Sequence, residues 1–209
     1  NLSAPYKKGG LEQNDAVVGN PPYGGIGVDL TQAGAQTLLH ALNNYEVFWY
    51  RLHKNTSKPS SSSSLQGALN FDDSGSQSIS KHVSPREVQQ LASGMPIEHL
   101  FIERFFQLAK PNSWIAMVIP DGVLANSTSH YVRQFIADHG QVKLIVSLPR
   151  NTFKDTGTNA KTSILMIRKY NVDEVPDHNL PIFLASVDDI EKLPVLATTY
   201  QSYNQTGGL

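Results

Sequence analysis

Short apolar segments alternate with amphipathic ones through the second half of this chain, and this alternation limits its fold more than any other feature. Apolar residues recur at helical spacing in 97–108 and in 131–136, whereas 114–119 and 142–148 are short apolar runs that end at prolines. Helices that alternate with buried strands predict an α/β layered domain with a mainly parallel sheet and helices on both faces.

The final strands of this series should form an antiparallel hairpin. A third apolar run, 162–167, follows the run at 142–148 after a loop at 150–160. That loop is shorter than the crossover of a dozen or more residues that parallel neighbours require. We therefore predict that the 162–167 strand is reversed, and we expect one further strand between Pro181 and Val187.

The chain begins with another apolar run, 15–19, which we predict to be a strand buried on both faces. Apolar residues at three- and four-residue steps between Leu38 and Leu52 then predict a helix of about five turns with one apolar face. This helix should pack against the sheet.

Residues 55–80 differ in composition from their surroundings. They include five consecutive serines and few large apolar side chains, so we predict a mobile insertion. Order should resume at Ser84, because Ser84, Pro85 and Glu87 form the pattern of a capped helix start. Gly94 should end that short helix.

The tetrapeptide Asn20-Pro21-Pro22-Tyr23 directly follows the first predicted strand, at the end of the strand where α/β sheets bind their ligands. The prolines stiffen the turn, so an Asn20 side-chain oxygen and a neighbouring backbone carbonyl would be held as two acceptors for a planar amino group. Gripping both N–H bonds of a purine amine would localise its lone pair, and Tyr23 offers a flat face for stacking. The alternative is an ordinary strand-to-loop turn.

Composition excludes several kinds of site. The chain has no cysteine, and its seven histidines lack metal-ligand spacing, so we expect neither disulfides nor a metal centre. No run of 18 or more apolar residues is present, and the first residues lack a basic segment followed by an apolar one. We therefore expect a cytoplasmic protein without membrane association.

The net charge of −1 conceals two oppositely charged segments. Residues 141–170 carry six basic side chains and one acidic one, whereas 171–209 carry six acidic side chains and one basic one. The basic segment includes a loop and is suited to contact with phosphates. The alternative is a solvated cationic surface without a ligand.

Several sequence blocks beyond the tetrapeptide carry a family resemblance. The chain resembles the N6-adenine DNA methyltransferases, most closely the modification subunits of type I restriction-modification systems, and it matches their Asn-Pro-Pro-Tyr/Phe motif. Glutamine-side-chain and some ribosomal-RNA methyltransferases share that motif, but the later blocks are more specific. Those blocks occur in the family's order at 97–101, 118–124, 147–153 and 156–165.

The resemblance implies a role for each matching residue. Asn20 and the backbone of Pro21 would hold the adenine amino group, Pro22 would shape the floor and Tyr23 would stack on the flipped base. Phe153 resembles the aromatic residue that closes the other side of the base. A core position beneath the loop is the alternative for Phe153.

The resemblance also places further residues at this site. Pro120 and Asp121, after another predicted strand, would line the cofactor pocket, although a plain turn explains them equally well. Arg150, Lys154 and Lys161 flank the Phe153 loop and would contact DNA phosphates at the pocket mouth.

The implied cofactor is S-adenosylmethionine, but its main binding motif is absent from this chain. Family members bind it with strands and a Gly-rich loop that precede the tetrapeptide by many tens of residues, and only nineteen residues precede it here. We therefore expect residues 1–190 to be the C-terminal half of a Rossmann-like methyltransferase domain, with strands four to seven of its sheet and a tail at 191–209. The isolated chain should be inactive.

The implied function is transfer of a methyl group to adenine N6 in DNA. The implied partners are DNA, the missing N-terminal half of the domain, a specificity subunit and, in systems with a nuclease, a restriction subunit. Two alternatives remain open: the same chemistry on ribosomal RNA or a protein glutamine, and a non-catalytic module that contacts DNA.

Overall fold

The computed structural model describes residues 13–23, 42, 45–56, 92–154 and 159–206, with backbone only for 52–56. Within them, the strands are β1 (Asn14–Gly19), β2 (Ala109–Pro120), β3 (Gly140–Ser147), β4 (Thr162–Lys169) and β5 (Phe183–Ser186). The helices are α1 (Glu46–Thr56), α2 (Ile97–Leu108), α3 (Asp121–Ala125), α4 (His130–His139) and α5 (Leu193–Gln205). Short 3₁₀ turns precede α4 at Ser127–Ser129 and α5 at Ile190–Lys192.

All five strands join in one sheet with the order β1-β2-β4-β3-β5. β1 pairs parallel to β2, and β5 pairs parallel to β3. β4 lies between β2 and β3 and is antiparallel to both. The predictions of a mainly parallel sheet, of a reversed fourth strand and of a further strand within 181–187 are therefore confirmed.

Helices cover both faces of the sheet, as predicted. On one face α1, α2 and α4 enclose a core that includes the inward side chains of β2 and β4, among them Ile115, Met117, Ile119, Leu165 and Ile167. On the other face α5 packs through Leu193, Leu196 and Tyr200 against a smaller cluster around Val146 and Leu148. Side chains that alternate along each strand supply both layers.

Gly140 allows α4 to turn directly into β3. A Cβ atom at this position would lie 2.6 Å from Cγ2 of Ile167 and 3.0 Å from the Arg168 carbonyl oxygen. The predicted end of this helix at Gly140 is confirmed, because α4 ends at His139. The physical reason is close packing of the β3 backbone against β4 and not a left-handed conformation.

The prediction that the first strand is buried on both faces is wrong for the described residues. β1 lies at an edge of the sheet with β2 as its described neighbour. Val17 packs against the main core, but Val18 points to the other face and is 78% exposed. An apolar run identifies a strand, but burial depends on what covers each face.

Two further sequence-based boundaries differ from the structure. The helix expected between Leu38 and Leu52 is interrupted. Leu42 is helical and α1 begins at Glu46, but Tyr45 between them is not helical, and its N–H donates to the Leu42 carbonyl at 3.0 Å. The tail expected after residue 190 contains the helix α5.

Other expected features fall partly or wholly outside the described residues. Of the segment 55–80, only the first two residues are described, and they belong to α1. Ser84, Pro85 and Glu87 lie outside the described residues. Gly94 is described with φ of 69°, the left-handed conformation that favours glycine after a helix. None of the described helices is long and apolar enough to cross a membrane.

Candidate active site

Four chain segments meet at one end of the strands, where the parallel strands have their carboxyl ends. The parallel strands β1, β2 and β3 end there, leading to Asn20, Asp121 and Leu148, and the antiparallel strand β4 begins there at Thr162. The strand register shows that these ends lie side by side, because Pro120 lies opposite Thr162 and Ser147 lies opposite Ser163. Every residue that we selected from the sequence as a site residue lies on one of these segments or on the loop after β3.

The tetrapeptide presents two polar groups on the same side of the turn. Pro21 is buried and anchors the turn, whereas Asn20 and Pro22 are exposed and Tyr23 is half-buried. Burial raises the pKa of the Tyr23 hydroxyl, and a hydrogen bond with the Asn20 side chain opposes this increase. An amide side chain has both N–H donors and an acceptor oxygen, so Asn20 can bind the Tyr23 hydroxyl and a ligand at the same time.

Tyr23 and Phe153 are brought together from distant parts of the sequence. Their ring centroids are 6.3 Å apart and the ring planes are inclined by 77°. Phe153 is half-buried and also packs against the smaller core cluster, so it has features of both a site residue and a core residue. The geometry places two aromatic walls beside the Asn20 turn.

A compact turn holds Phe153 in this position. The backbone N–H and the hydroxyl of Thr152 both donate to the Pro149 carbonyl, at 3.2 and 2.7 Å. The N–H of Lys154 donates to the Asn151 carbonyl at 3.2 Å. Pro149 ends β3 and supplies the acceptor around which the loop closes, so the position of Phe153 follows from that of the strand.

Hydrogen bonds hold both the backbone N–H and the side-chain carboxylate of Asp121. Its N–H donates to the Lys161 carbonyl at 2.9 Å, and its Oδ1 accepts a hydrogen bond from the Ser163 hydroxyl at 2.7 Å. Ser163 is 2% exposed and did not emerge from the sequence as a site residue. The only signal for it is the antiparallel register, in which Ile119 lies opposite Ser163.

The three basic residues predicted to bind phosphates differ in their surroundings. Arg150 and Lys154 are exposed on the loop that carries Phe153. Lys161 is half-buried, and its ammonium group donates a short hydrogen bond to the Leu148 carbonyl. Lys161 therefore braces the end of β3, while Arg150 and Lys154 face solvent.

The described residues contain no group of three histidine or carboxylate side chains that could hold a metal ion. The groups that surround the site are amide, hydroxyl, carbonyl and aromatic groups, together with the Asp121 carboxylate. Such a set can hold and stack a planar, hydrogen-bonding ligand.

A family model described as N-6 DNA Methylase matches residues 70–191. The matched segment covers more than half of the chain and includes Asp121, the Phe153 loop and β2 to β5, whereas the tetrapeptide precedes it. None of the curated proteins matches this chain significantly in sequence.

Solved structures share the fold. One is a class I S-adenosylmethionine-dependent methyltransferase from Listeria monocytogenes, described as putative, with 18% identity and a TM-score of 0.53 over 93% of this chain and 44% of its own. Another comes from a study of complex assembly in a type I R-M system, with 17% identity and a TM-score of 0.50 over 98% of this chain and 33% of its own. The chain thus spans less than half of each of these structures.

Proposed function

Because this chain belongs to the N-6 DNA methylase family, we propose that it forms the substrate side of a domain that methylates adenine N6 in DNA. The observation that carries the proposal is the approach of Tyr23 to Phe153, with ring centroids 6.3 Å apart, in the turn that also carries Asn20. Two aromatic walls beside an amide side chain suit a flat base that bears an amino group. We further propose that residues 1–190 are one part of a longer catalytic domain.

The flipped adenine lies between Tyr23 and Phe153 in this proposal. A base stacked between two parallel rings needs them about 7 Å apart, twice the usual contact distance of carbon atoms. The observed 6.3 Å is close to that separation, but the 77° inclination is not compatible with a sandwich. Adenine binding therefore requires one of the two rings to rotate and the rings to separate slightly.

The amino group of the base is held by Asn20 and by the backbone carbonyl of Pro21. Asn20 already forms a hydrogen bond with Tyr23, which restricts its side chain before the substrate arrives. Two acceptors on the two N–H bonds favour the tetrahedral amine and localise its lone pair. Pro22 shapes the floor of the pocket, and its fixed φ keeps the turn rigid.

S-adenosylmethionine is the proposed cofactor, and when bound it supplies an electrophilic methyl group. The described residues fit it in part. Asp121 has one carboxylate oxygen engaged by Ser163, and its second oxygen is suited to a hydroxyl or ammonium group of the cofactor. Pro120 would line the same wall. We propose that the remaining contacts come from a Gly-rich segment of the longer protein.

DNA is the proposed substrate and partner. Arg150 and Lys154 are suited to phosphate contact, because both are exposed on the loop that carries Phe153. Lys161 already donates one N–H of its ammonium group to the Leu148 carbonyl, so only its other N–H bonds can contact a phosphate. By the resemblance to type I systems, a specificity subunit supplies recognition of the target sequence, and a restriction subunit completes systems that cleave DNA.

Substitution of Asn20 in the full-length protein tests the proposal. Asn20→Ala should lower transfer of labelled methyl groups to DNA at least about a hundredfold, with DNA binding nearly unchanged. Asn20→Asp is the matched variant, because it keeps an acceptor oxygen and should retain part of the activity. Retained activity in Asn20→Ala would refute the assigned role. Parallel incubations with ribosomal RNA and a glutamine-containing protein substrate would identify the alternative substrates.

A further inference from the structure

Exposed apolar side chains are concentrated in one segment of the chain. Seven of the nine large apolar side chains exposed among the described residues lie between Val172 and Val195. Three of them, Leu180, Ile182 and Leu184, lead into and along β5. Leu184 is 70% exposed although it lies in the middle of a strand. An apolar strand face of this kind is a feature of interaction surfaces.

Among the described residues, β5 also has a backbone edge that pairs with no other strand. It forms the outer strand of the sheet, and its described neighbour is β3. The N–H of Val187 donates to the Ser147 carbonyl at 3.0 Å, which shows that this residue directs its backbone groups towards β3. Since backbone groups alternate in direction along a strand, Leu184 and Ser186 direct theirs away from the sheet. Two N–H groups and two carbonyls are thereby available to another strand.

A groove lies beside this edge on the face that carries Leu184. It has a volume of about 140 Å³ and is lined mainly by apolar side chains of α4, β3 and the segment before β5, including Ala137, Val142, Leu180 and Ile182. Side chains two residues apart share a face of a strand, so Ile182 and Leu184 form a continuous apolar row from the groove along β5.

The chain segment that carries this apolar row is acidic. The segment from Asn171 to Thr206 carries six acidic side chains and one basic one. Glu174 is paired with Arg168, and Asp188 is paired with Lys192. After these pairs an excess of four carboxylates remains, from Asp173, Asp177, Asp189 and Glu191. Asp177 lies in the groove lining itself. Such a surface repels nucleic-acid phosphates and attracts a basic polypeptide.

We propose that the β5 edge is a docking site for a partner polypeptide whose strand alternates apolar residues with lysine or arginine. The partner strand would pair with the outward backbone groups of Leu184 and Ser186, its apolar side chains would cover Ile182 and Leu184, and its cations would face the carboxylates of this segment. The site is at the opposite edge of the sheet from β1, which leads to Asn20.

A synthetic peptide tests this assignment directly. A labelled peptide that alternates valine with lysine should bind the full chain, measured by fluorescence anisotropy, and should slow hydrogen exchange of the Leu184 and Ser186 amides. A peptide that alternates valine with glutamate should not bind. A peptide with leucine and lysine at helical spacing should bind more weakly and should leave those two amides unprotected.

Two pairs of variants separate the apolar and backbone contributions. Leu184→Ser should weaken binding of the valine–lysine peptide about tenfold, whereas Val195→Ser, equally exposed at 69% on α5, should leave it unchanged. Ser186→Pro removes an outward N–H that an edge strand can lose, and it should weaken binding, whereas Ser186→Ala should not. Circular dichroism would verify folding.

Three results would overturn the assignment of the β5 edge as a docking site. Equal binding of the lysine and glutamate peptides would exclude a role for the carboxylates. Full affinity in both Leu184→Ser and Ser186→Pro would show that the peptide binds elsewhere. Protection of the two amides by the helical peptide, as strong as that by the alternating one, would exclude strand addition.

Discussion

The carboxylate of Glu103 accepts a hydrogen bond from the backbone N–H of Val47 at 2.7 Å and another from that of Glu46 at 2.9 Å. A side chain of α2 therefore caps the N-terminus of α1, where helix N–H groups have no partner within the helix. Glu103 is 3% exposed, so water cannot replace it. Glu103→Ala should lower the free energy of unfolding by about 2–3 kcal/mol, measured by urea denaturation.

Glu103→Gln serves as the control for this prediction. The amide keeps one acceptor oxygen for α1 and nearly the same volume, so its cost should be clearly smaller than that of Glu103→Ala. Equal losses in the two variants would indicate that the cavity, and not the cap, determines the effect.

His99 should make the fold sensitive to acid. Burial, followed by the nearby Arg51 charge, lowers the pKa of His99 to about 4, and its Nδ1 is 2.5 Å from the Tyr131 hydroxyl. In the unfolded chain His99 binds a proton near pH 6.5, whereas in the folded chain it does not. The contribution of neutral His99 to the free energy of unfolding is therefore present above pH 6.5 and is lost as the pH falls towards 4. Its size is about 3 kcal/mol.

Titration of Glu103 changes the free energy of unfolding in the opposite direction, over nearly the same pH range. Burial raises its pKa to about 7, although the hydrogen bonds from Val47 and Glu46 oppose the increase. The folded state therefore holds this proton more tightly, and the stability that it supplies is lost as the pH rises from about 4.5 to 7. The two contributions offset each other in the unsubstituted chain.

Single substitutions should reveal the separate effects of His99 and Glu103 on the pH dependence of stability. In His99→Gln, stability should fall with rising pH between about 4.5 and 7. In Glu103→Gln, it should rise with pH between about 4 and 6.5. Urea midpoints measured across this range provide the test, with the exposed His130→Gln as a control that keeps the original profile. Identical profiles in all three variants would contradict the assignment.

Lys169 connects α2 to the sheet. Its ammonium group donates to the Phe106 and Ala109 carbonyls at 2.7 and 2.9 Å, at the C-terminus of α2, where the helix dipole favours a positive charge. Lys169→Met should cost about 1–3 kcal/mol of unfolding free energy in a thermal or urea melt. Burial also lowers the pKa of Lys169, so the folded chain releases this proton at a lower pH than the unfolded chain does, and the linked stability should increase as the pH rises towards 10.5.

Lys110 offers a matched control for Lys169. It makes an ion pair of 2.8 Å with Asp15, but both side chains are largely solvent-exposed. Lys110→Met should therefore change the unfolding free energy by less than about 1 kcal/mol. A larger effect there than at Lys169 would show that charge, and not capping of α2, determines the stability.

The sequence predicted those parts of the fold that depend on local pattern. The periodicity in 97–108 and 131–136 identified α2 and most of α4, and the short loop before β4 identified the reversed strand. The tetrapeptide and Phe153 were selected separately, through motif chemistry and family resemblance, and the structure brings their aromatic rings together. Their roles in binding a base stay predictions.

Other features depend on partners that a linear pattern does not reveal. The exposure of Val18 reflects what lies over one face of β1, and the contact between Ser163 and Asp121 depends on strand register. The cap of α1 comes from a side chain on another helix. The prediction of a tail at 191–209 misses α5, although Leu193, Leu196, Tyr200 and Tyr203 have helical spacing.

Phe153 provides the sharpest test of the proposed base pocket. In the full-length protein, Phe153→Ala should raise the KM for DNA and weaken base flipping by about tenfold, since stacking contributes about 1–3 kcal/mol per base. Fluorescence of 2-aminopurine at the target adenine would report flipping, and labelled methyl transfer would report activity. Phe153→Tyr keeps a flat ring and should stay close to the unsubstituted protein. If Phe153 served only the core cluster, Phe153→Ala would lower the melting temperature and leave the 2-aminopurine signal of the folded protein unchanged.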